Sequence, residues 1–372
     1  MLTIQTHTME LAGTNYEIGY QLGRITEKIP PLRKTHTSSI EGFGPQQADE
    51  AAKLFDRWCP GLTEELCGFA DALEVKQEQI FYYGMTYLMP RCSQIALLPS
   101  LTAEGKTLLA RSYEISHEIE DFCLTRTSVK GKYTHMSTSV LQFGRDDGFN
   151  EHGLCVTMSS CGFPIGALPY MRAPKLKGLQ FWAVIRALLE NCKDVDEALV
   201  YLKGMPIAYN INMILADKAG NAALVETLDG HTASKRIGPG SQEQMLYATN
   251  HPIFPELAAL EPKAMANSIR RYEYIREGLS DKRNVTKEEL REMLLSRYPE
   301  GLCCHYFEEY FGTTKSMVIS PSDGTIDLCW GGLAENGWHT YNIVHPLANM
   351  TNTIKINLEK AIPGFFDWKP LI

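Results

Sequence analysis

Residues 90–116 read PRCSQIALLPSLTAEGKTLLARSYEIS, and the rest of the chain is organised around this stretch. Residues 93–98 are mostly apolar, 100–106 carry Gly105 and polar turn residues, and the apolar pattern resumes over 107–113. That alternation of apolar run, turn and apolar run predicts a β-hairpin. With the turn centred near Ala103 and Glu104, antiparallel symmetry sets Cys92 opposite residues 111–114. A sulfur (Cys92), a guanidinium (Arg111) and a carboxylate (Glu114) are then gathered by local geometry alone. An adjacent cation lowers a thiol pKa, and the thiolate is the nucleophilic form. Cys92 is therefore a candidate nucleophile on physical grounds.

The bulk numbers narrow the remaining classes. A 372-residue chain with 44% hydrophobic and 22% charged residues has ample material for a core. A net charge of −8 and no Lys/Arg-rich run argue against a nucleic-acid platform, which needs a concentrated basic face. The stretch FWAVIRALL at 181–189 is short and interrupted by Arg186, so no membrane span is expected. The opening MLTIQTHTMEL has neither a basic nor an apolar signal region, and ten cysteines lack framework spacing. Both features suit reduced thiols and a cytoplasmic protein.

Along the chain, the pattern over 8–28 predicts a helix in which Gly19 and Gly23, four apart, mark close approach of another element. Residues 30–45 read as a Pro/Gly-rich loop. Helices are expected over 46–73, broken near Pro60 and Gly61, and over 77–89. The first 91 residues are thus expected to be mainly helical, with strand character beginning at the cysteine. Beyond the hairpin, strands are expected at 122–129, 134–143, within 149–164, at 210–217 and 222–228, at 245–249, and in a last hairpin at 314–320 and 325–330. Helices are expected at 176–192, 194–203 (Asp194 as N-cap), 263–277 and 286–295, the last with a Thr286/Glu289 capping box. No repeat is present, and the tail shows no clear element. Antiparallel hairpins interleaved with helices predict an α+β layered fold.

A Cys opening a strand, a turn of the E-G-K-T type and then LLARSYE resembles the "C-T-x…dG-k-t-l-l-g-R-N-x-D" signature of a group of N-terminal-nucleophile amidohydrolases. That group holds choloylglycine (bile-salt) hydrolases, penicillin V acylases and fungal acyl-coenzyme A:isopenicillin N acyltransferase. Further strings resemble the group in order. They are GTNYEIGYQLG from Gly13, FNEHGL from Phe149, NINMILADKAGNAALVE from Asn210, and TNHP from Thr249. The resemblance implies a four-layer αββα sandwich. It implies a 1–91 N-terminal segment cut from a 92–372 catalytic body at Arg91–Cys92 and remaining associated with it. The freed α-amine of Cys92, whose ordinary pKa of about 7.7–8.0 lies near working pH, then serves as base for its own thiol.

The resemblance also assigns roles. Arg111 matches the arginine of R-N-x-D, with Ser112 in place of the motif's Asn and Glu114 in place of its Asp. Asn250 matches the "T-N-x-P" asparagine, whose amide suits an oxyanion. Arg271 matches the arginine of "S-x-x-R-f/y", with Arg270 as the fallback, and Ser160 lies near a further oxyanion contact. The implied reaction is hydrolysis of a linear, non-peptide amide through a cysteine thioester. Acyl transfer to an amine through the same thioester is the alternative. An unprocessed relative that only binds an acyl ligand is the competing class, supported by Arg91, Ser112 and Glu114. An ordinary Cys–His hydrolase needs a histidine at Cys92; His117, His152, His251 and His305 are available and no local pattern selects one. Cys303-Cys304-His305 has no paired CxxC to complete four ligands, so neither metal nor cofactor is expected. Phe163, Leu168 and Tyr170 are apolar candidates to line a pocket for a small-molecule acyl amide. A homo-oligomer is compatible with the sequence, which does not encode the state legibly.

Overall fold

A computed structural model describes residues 1–166 and 171–371; Leu168 and Tyr170 lie outside the described residues. Among these, the strands form a ten-stranded sheet, a seven-stranded sheet and a two-stranded pair. The expected hairpin is the strand pair Arg91–Leu97 and Leu108–Ile115. Cys92 pairs with Tyr113 and Gln94 with Arg111, inside the expected window. On one side of it lies Met245–Ala248 and on the other Phe311–Ser320, followed by Thr325–Trp330.

Side-chain alternation along this hairpin explains the layers. Ile95, Leu97, Leu108 and Ala110 face outward into a core with Ile275, Leu279, Leu290 and Leu294 of the helices Ala266–Leu279 and Lys287–Leu295. Ala96, Leu98 and Leu109 face inward against Leu124, Met136, Phe149 and Ile214 of the ten-stranded sheet. That sheet's other face (Val156, Met158, Met213, Leu215) packs on Ile18, Leu22, Phe69, Trp182 and Leu188 of the helical layer. Helices, sheet, sheet, helices is the αββα order. The Thr286/Glu289 capping box and the Asp194 cap form as the residues predict.

The N-terminal segment differs from its expected helical character. Leu2–Gly13 is a strand, pairing parallel with Cys123–Val129 and antiparallel with Met350–Ile356. Thr6, Thr8, Met9 and Leu11 are buried there, and neighbours more than a hundred residues away decide the conformation. Residues 30–45 are likewise not all loop, because Pro30 opens the helix Pro30–Thr37, where a missing N–H costs nothing. Gln77–Gly84 ends earlier than the expected 89. The Gly19/Gly23 reading holds. Helix Asn15–Glu27 crosses Leu62–Leu73 so closely that a Cβ on Gly19 would lie 1.8 Å from the Glu65 carbonyl oxygen. Gly68 returns the favour, its place for a Cβ lying 2.2 Å from the Tyr16 carbonyl oxygen. Among the described residues no helix is long and apolar enough to cross a membrane.

Candidate active site

The hairpin's two faces divide the expected residues into two groups. Cys92 points between the sheets and is fully buried. Arg111, diagonal to it on the same face, donates from Nη2 to Cys92 Sγ at 3.3 Å. Its Nη1 is held by Asp147 Oδ2 at 2.5 Å and the Asp146 carbonyl at 2.7 Å. Burial works against the Arg111 cation, yet the neighbouring Cys92, Asp147 and Asp146 outweigh it and keep the pKa above its usual value. The carboxylate gathered with Arg111 is therefore Asp147 rather than Glu114. The ladder sets Glu114 opposite Arg91, which turns it to the outer face, away from the sulfur.

On that outer face Glu114 accepts from Thr313 Oγ1 at 3.0 Å and from Ser112, and it pairs with Arg271 at 3.3 Å. Burial raises its pKa, with Arg271 opposing. Arg271 also donates to Ser93 Oγ at 2.8 Å, Asn267 Oδ1 at 2.9 Å and Asn250 Oδ1 at 2.7 Å. Arg270 turns outward to the Pro299 carbonyl and Glu277, so of the two neighbours Arg271 is the inward one.

Asn250 joins the groups. Its Oδ1 accepts from the Cys92 backbone N–H at 3.2 Å as well as from Arg271. Two donors on one oxygen fix the amide's orientation, and Nδ2 then donates to Ser160, to its carbonyl at 3.1 Å and its Oγ at 3.2 Å. Ser160 Oγ donates to the Pro90 carbonyl at 2.6 Å and accepts from Arg91 Nη1 at 3.3 Å. Thus the chain is held on both sides of the Arg91–Cys92 bond, Asn250 accepting from the Cys92 N–H and Ser160 meeting the Pro90 carbonyl and the Arg91 side chain upstream.

Electrostatics departs from the simple expectation. Burial pushes the Cys92 thiol up to about 11, with the Arg111 guanidinium pulling the other way. In the continuous chain the desolvation of a fully buried sulfur outweighs one cation. The described hydrogen bonds of Cys92 go to Arg111 and Asn250, and none goes to a histidine. His251 is spent on Ser268 and Thr249, and His305 lies 3.5 Å from Cys303 Sγ. Among the described residues no group of three or more His, Cys, Asp or Glu side chains is arranged to hold a metal ion.

Asp147, Asp146, Ser93 and Asn267 escaped the sequence reading. The signal for Asp147 was present, since a buried arginine requires a carboxylate and Asp146-Asp147 stands one residue, Gly148, before the FNEHGL string. Phe163 lines a small crevice with Arg91, Ser160 and Tyr209.

Comparison with known proteins adds the following. The model of the family described as acyl-coenzyme A:6-aminopenicillanic acid acyl-transferase matches residues 101–335, more than half of the chain. No curated protein matches. Solved structures with some likeness include a mutant conjugated bile acid hydrolase from Clostridium perfringens, at 13% identity and a TM-score of 0.39, covering 73% of this chain and 98% of that one. Another is penicillin V acylase from Agrobacterium tumefaciens, at 19% identity and a TM-score of 0.36, covering 66% and 76%.

Proposed function

The chain belongs to this acyl-transferase family, and on that premise we propose that it is a cysteine N-terminal-nucleophile hydrolase of linear, non-peptide amides that matures by cleavage between Arg91 and Cys92. The observation that carries the reading is the placement of Cys92. Its sulfur lies on the Arg111 guanidinium and its nitrogen on Asn250, with Ser160 holding the Pro90 carbonyl and the Arg91 guanidinium just upstream.

In maturation, Cys92 Sγ attacks the Arg91 carbonyl carbon. A C–S bond forms, the C–N bond breaks, and the nitrogen takes up a proton, leaving a thioester and a free Cys92 amine. Water then hydrolyses the thioester, giving the Arg91 carboxylate and the free thiol. In turnover the amine accepts the thiol proton, the thiolate attacks the substrate amide carbonyl, and the amine leaves protonated. Water resolves the acyl-enzyme. Arg111 favours the thiolate in both steps. The Asn250 amide is the candidate donor for the oxyanion once its Nδ2 turns from the Ser160 carbonyl and hydroxyl that now accept from it.

The acyl side has a receptacle of matching chemistry. Phe43, Tyr82, Met85, Tyr87, Met171 and Pro174 line an apolar cavity of about 350 Å³. Tyr87 stacks on Tyr209, which adjoins Arg91 and Cys92. An apolar acyl group suits that lining. The second reading, transfer of the acyl group to an amine, is favoured by the description of the family whose model matches. It differs only in what resolves the thioester.

Intact mass spectrometry of the wild-type protein beside Cys92→Ala tests the proposal. Two fragments split at Arg91–Cys92 in the wild type, and a single intact species in the variant, are expected. One uncut species in both sinks self-maturation and favours the ligand-binding class.

A further inference from the structure

Behind the nucleophile lies a buried cluster of charge that the site as described does not use. In the strand Phe311–Ser320 the register against Leu108–Ile115 slips between Thr313 and Lys315. Thr313 pairs with Glu114 on the outer face, and after the slip Lys315 pairs with Tyr113. A bulge of this kind re-aims the side chains that follow it. It sets Cys92, Tyr113 and Lys315 in one cross-strand row on the face between the sheets.

Lys315 is fully buried there. Its Nζ lies 2.8 Å from Asp146 Oδ2, 3.1 Å from Glu120 Oε1 and 4.2 Å from the centre of the Tyr113 ring. The Arg111 guanidinium takes a second place on that ring, at 4.5 Å. Asp146 links the two cations, since its carboxylate receives Lys315 while its main-chain carbonyl receives Arg111. Thr138 Oγ1 ties Asp146 to Asp147, at 2.5 Å and 2.8 Å. Three buried carboxylates (Glu120, Asp146, Asp147) thus face two cations. Glu120 is met by Lys315, Asp146, Asp121 and the Thr314 hydroxyl. Its burial, offset by Lys315, leaves it with a pKa of about 7.

We propose that Lys315 and Glu120 are positioning residues for the Cys92 nucleophile, acting through Asp146, Asp147 and Arg111 to set how readily the thiolate forms. This rests on the proposed role of Cys92. A thiolate adds a further negative charge to a cluster in which carboxyl groups already outnumber cations. Lys315 offsets that charge in a low-dielectric interior where such terms are large. Without Lys315, Asp146 and Asp147 draw Arg111 to themselves and the sulfur loses its cation. Without the Glu120 charge, the thiolate is less opposed.

The test is a pH titration of the full chain labelled with carbon-13 at the cysteine Cβ, the Cys92 resonance being assigned by its loss in Cys92→Ala. Glu120→Gln is expected to lower the thiol midpoint, and Lys315→Met to raise it, each by about one pH unit. A merely structural role for the cluster moves neither midpoint. Unchanged midpoints in folded variants overturn the inference. If Lys315→Met does not fold, the near-isosteric Glu120→Gln decides alone, a lowered midpoint supporting the proposal and an unchanged one overturning it. The titration reads the thiol whether or not the chain is cut. An uncut chain therefore counts against the proposed maturation and not against this inference.

Discussion

At the scale of the residue, the site is a problem of two faces of one hairpin. Cys92 and Arg111 were legible because their meeting depends only on the turn between them. Glu114 was misplaced by the same reasoning, because one step of register moves a side chain to the opposite face of a sheet. The true partner of Arg111, Asp147, comes from another sheet, and nothing local encodes that. The outward group has its own energetic signature. Arg271 and Glu114 are both fully buried, whereas Arg270 is about a third exposed. Removing one member of a buried pair strands the other charge, at a cost of about 3–5 kcal/mol, and exposed pairs contribute under about 1 kcal/mol. Arg271→Met is expected to lower the urea midpoint severely, and Arg270→Met to leave it nearly unchanged. Equal effects on the two midpoints would show that Arg271 is not the buried anchor described.

At the scale of the element, propensity was readable wherever the neighbours were near in sequence. The helix pair Asn15–Glu27 and Leu62–Leu73 was announced by Gly19 and Gly23, because a missing Cβ matters only where another backbone comes close. Gly19→Ala is expected to destabilise the chain by about 1–3 kcal/mol, since the Glu65 carbonyl cannot retreat without opening the helix pair. Gly44→Ala meets only the end of the Gln47 side chain at 3.7 Å and serves as the control in the same thermal melts. A Gly19→Ala melt no lower than that control would contradict the close packing. The elements that sequence missed (Leu2–Gly13, His231–Ile237 and Met350–Ile356) are strands whose partners complete them. Residues 8–13 of that strand were read as the start of a helix because they hold only half of their hydrogen-bonding environment.

At the scale of the whole molecule, the N-terminal segment is built into the body rather than laid upon it. Leu2–Gly13 lies between two strands of the body's own sheet, and helices from the segment cover that sheet's outer face. If the chain is cut at Arg91–Cys92, the two pieces are expected to co-elute in gel filtration and to part only in denaturant. Separation under native conditions would show that the strand pairing is dispensable. The layering was legible from the run of hairpins and helices, while the sharing of one sheet between the two segments was not, because pairings across hundreds of residues leave no periodic trace. The way Cys92 is held also has a consequence for the order in which the molecule is made. Asn250, which accepts from its N–H, and Arg271, which holds Asn250 in place, are synthesised long after the bond they serve, and the bulge that presents Lys315 comes later still. A ribosome-bound chain that ends before these residues has the cysteine but not its surroundings. On the proposed maturation, the delay built into synthesis keeps a nascent chain from cutting itself before its two parts are able to hold each other.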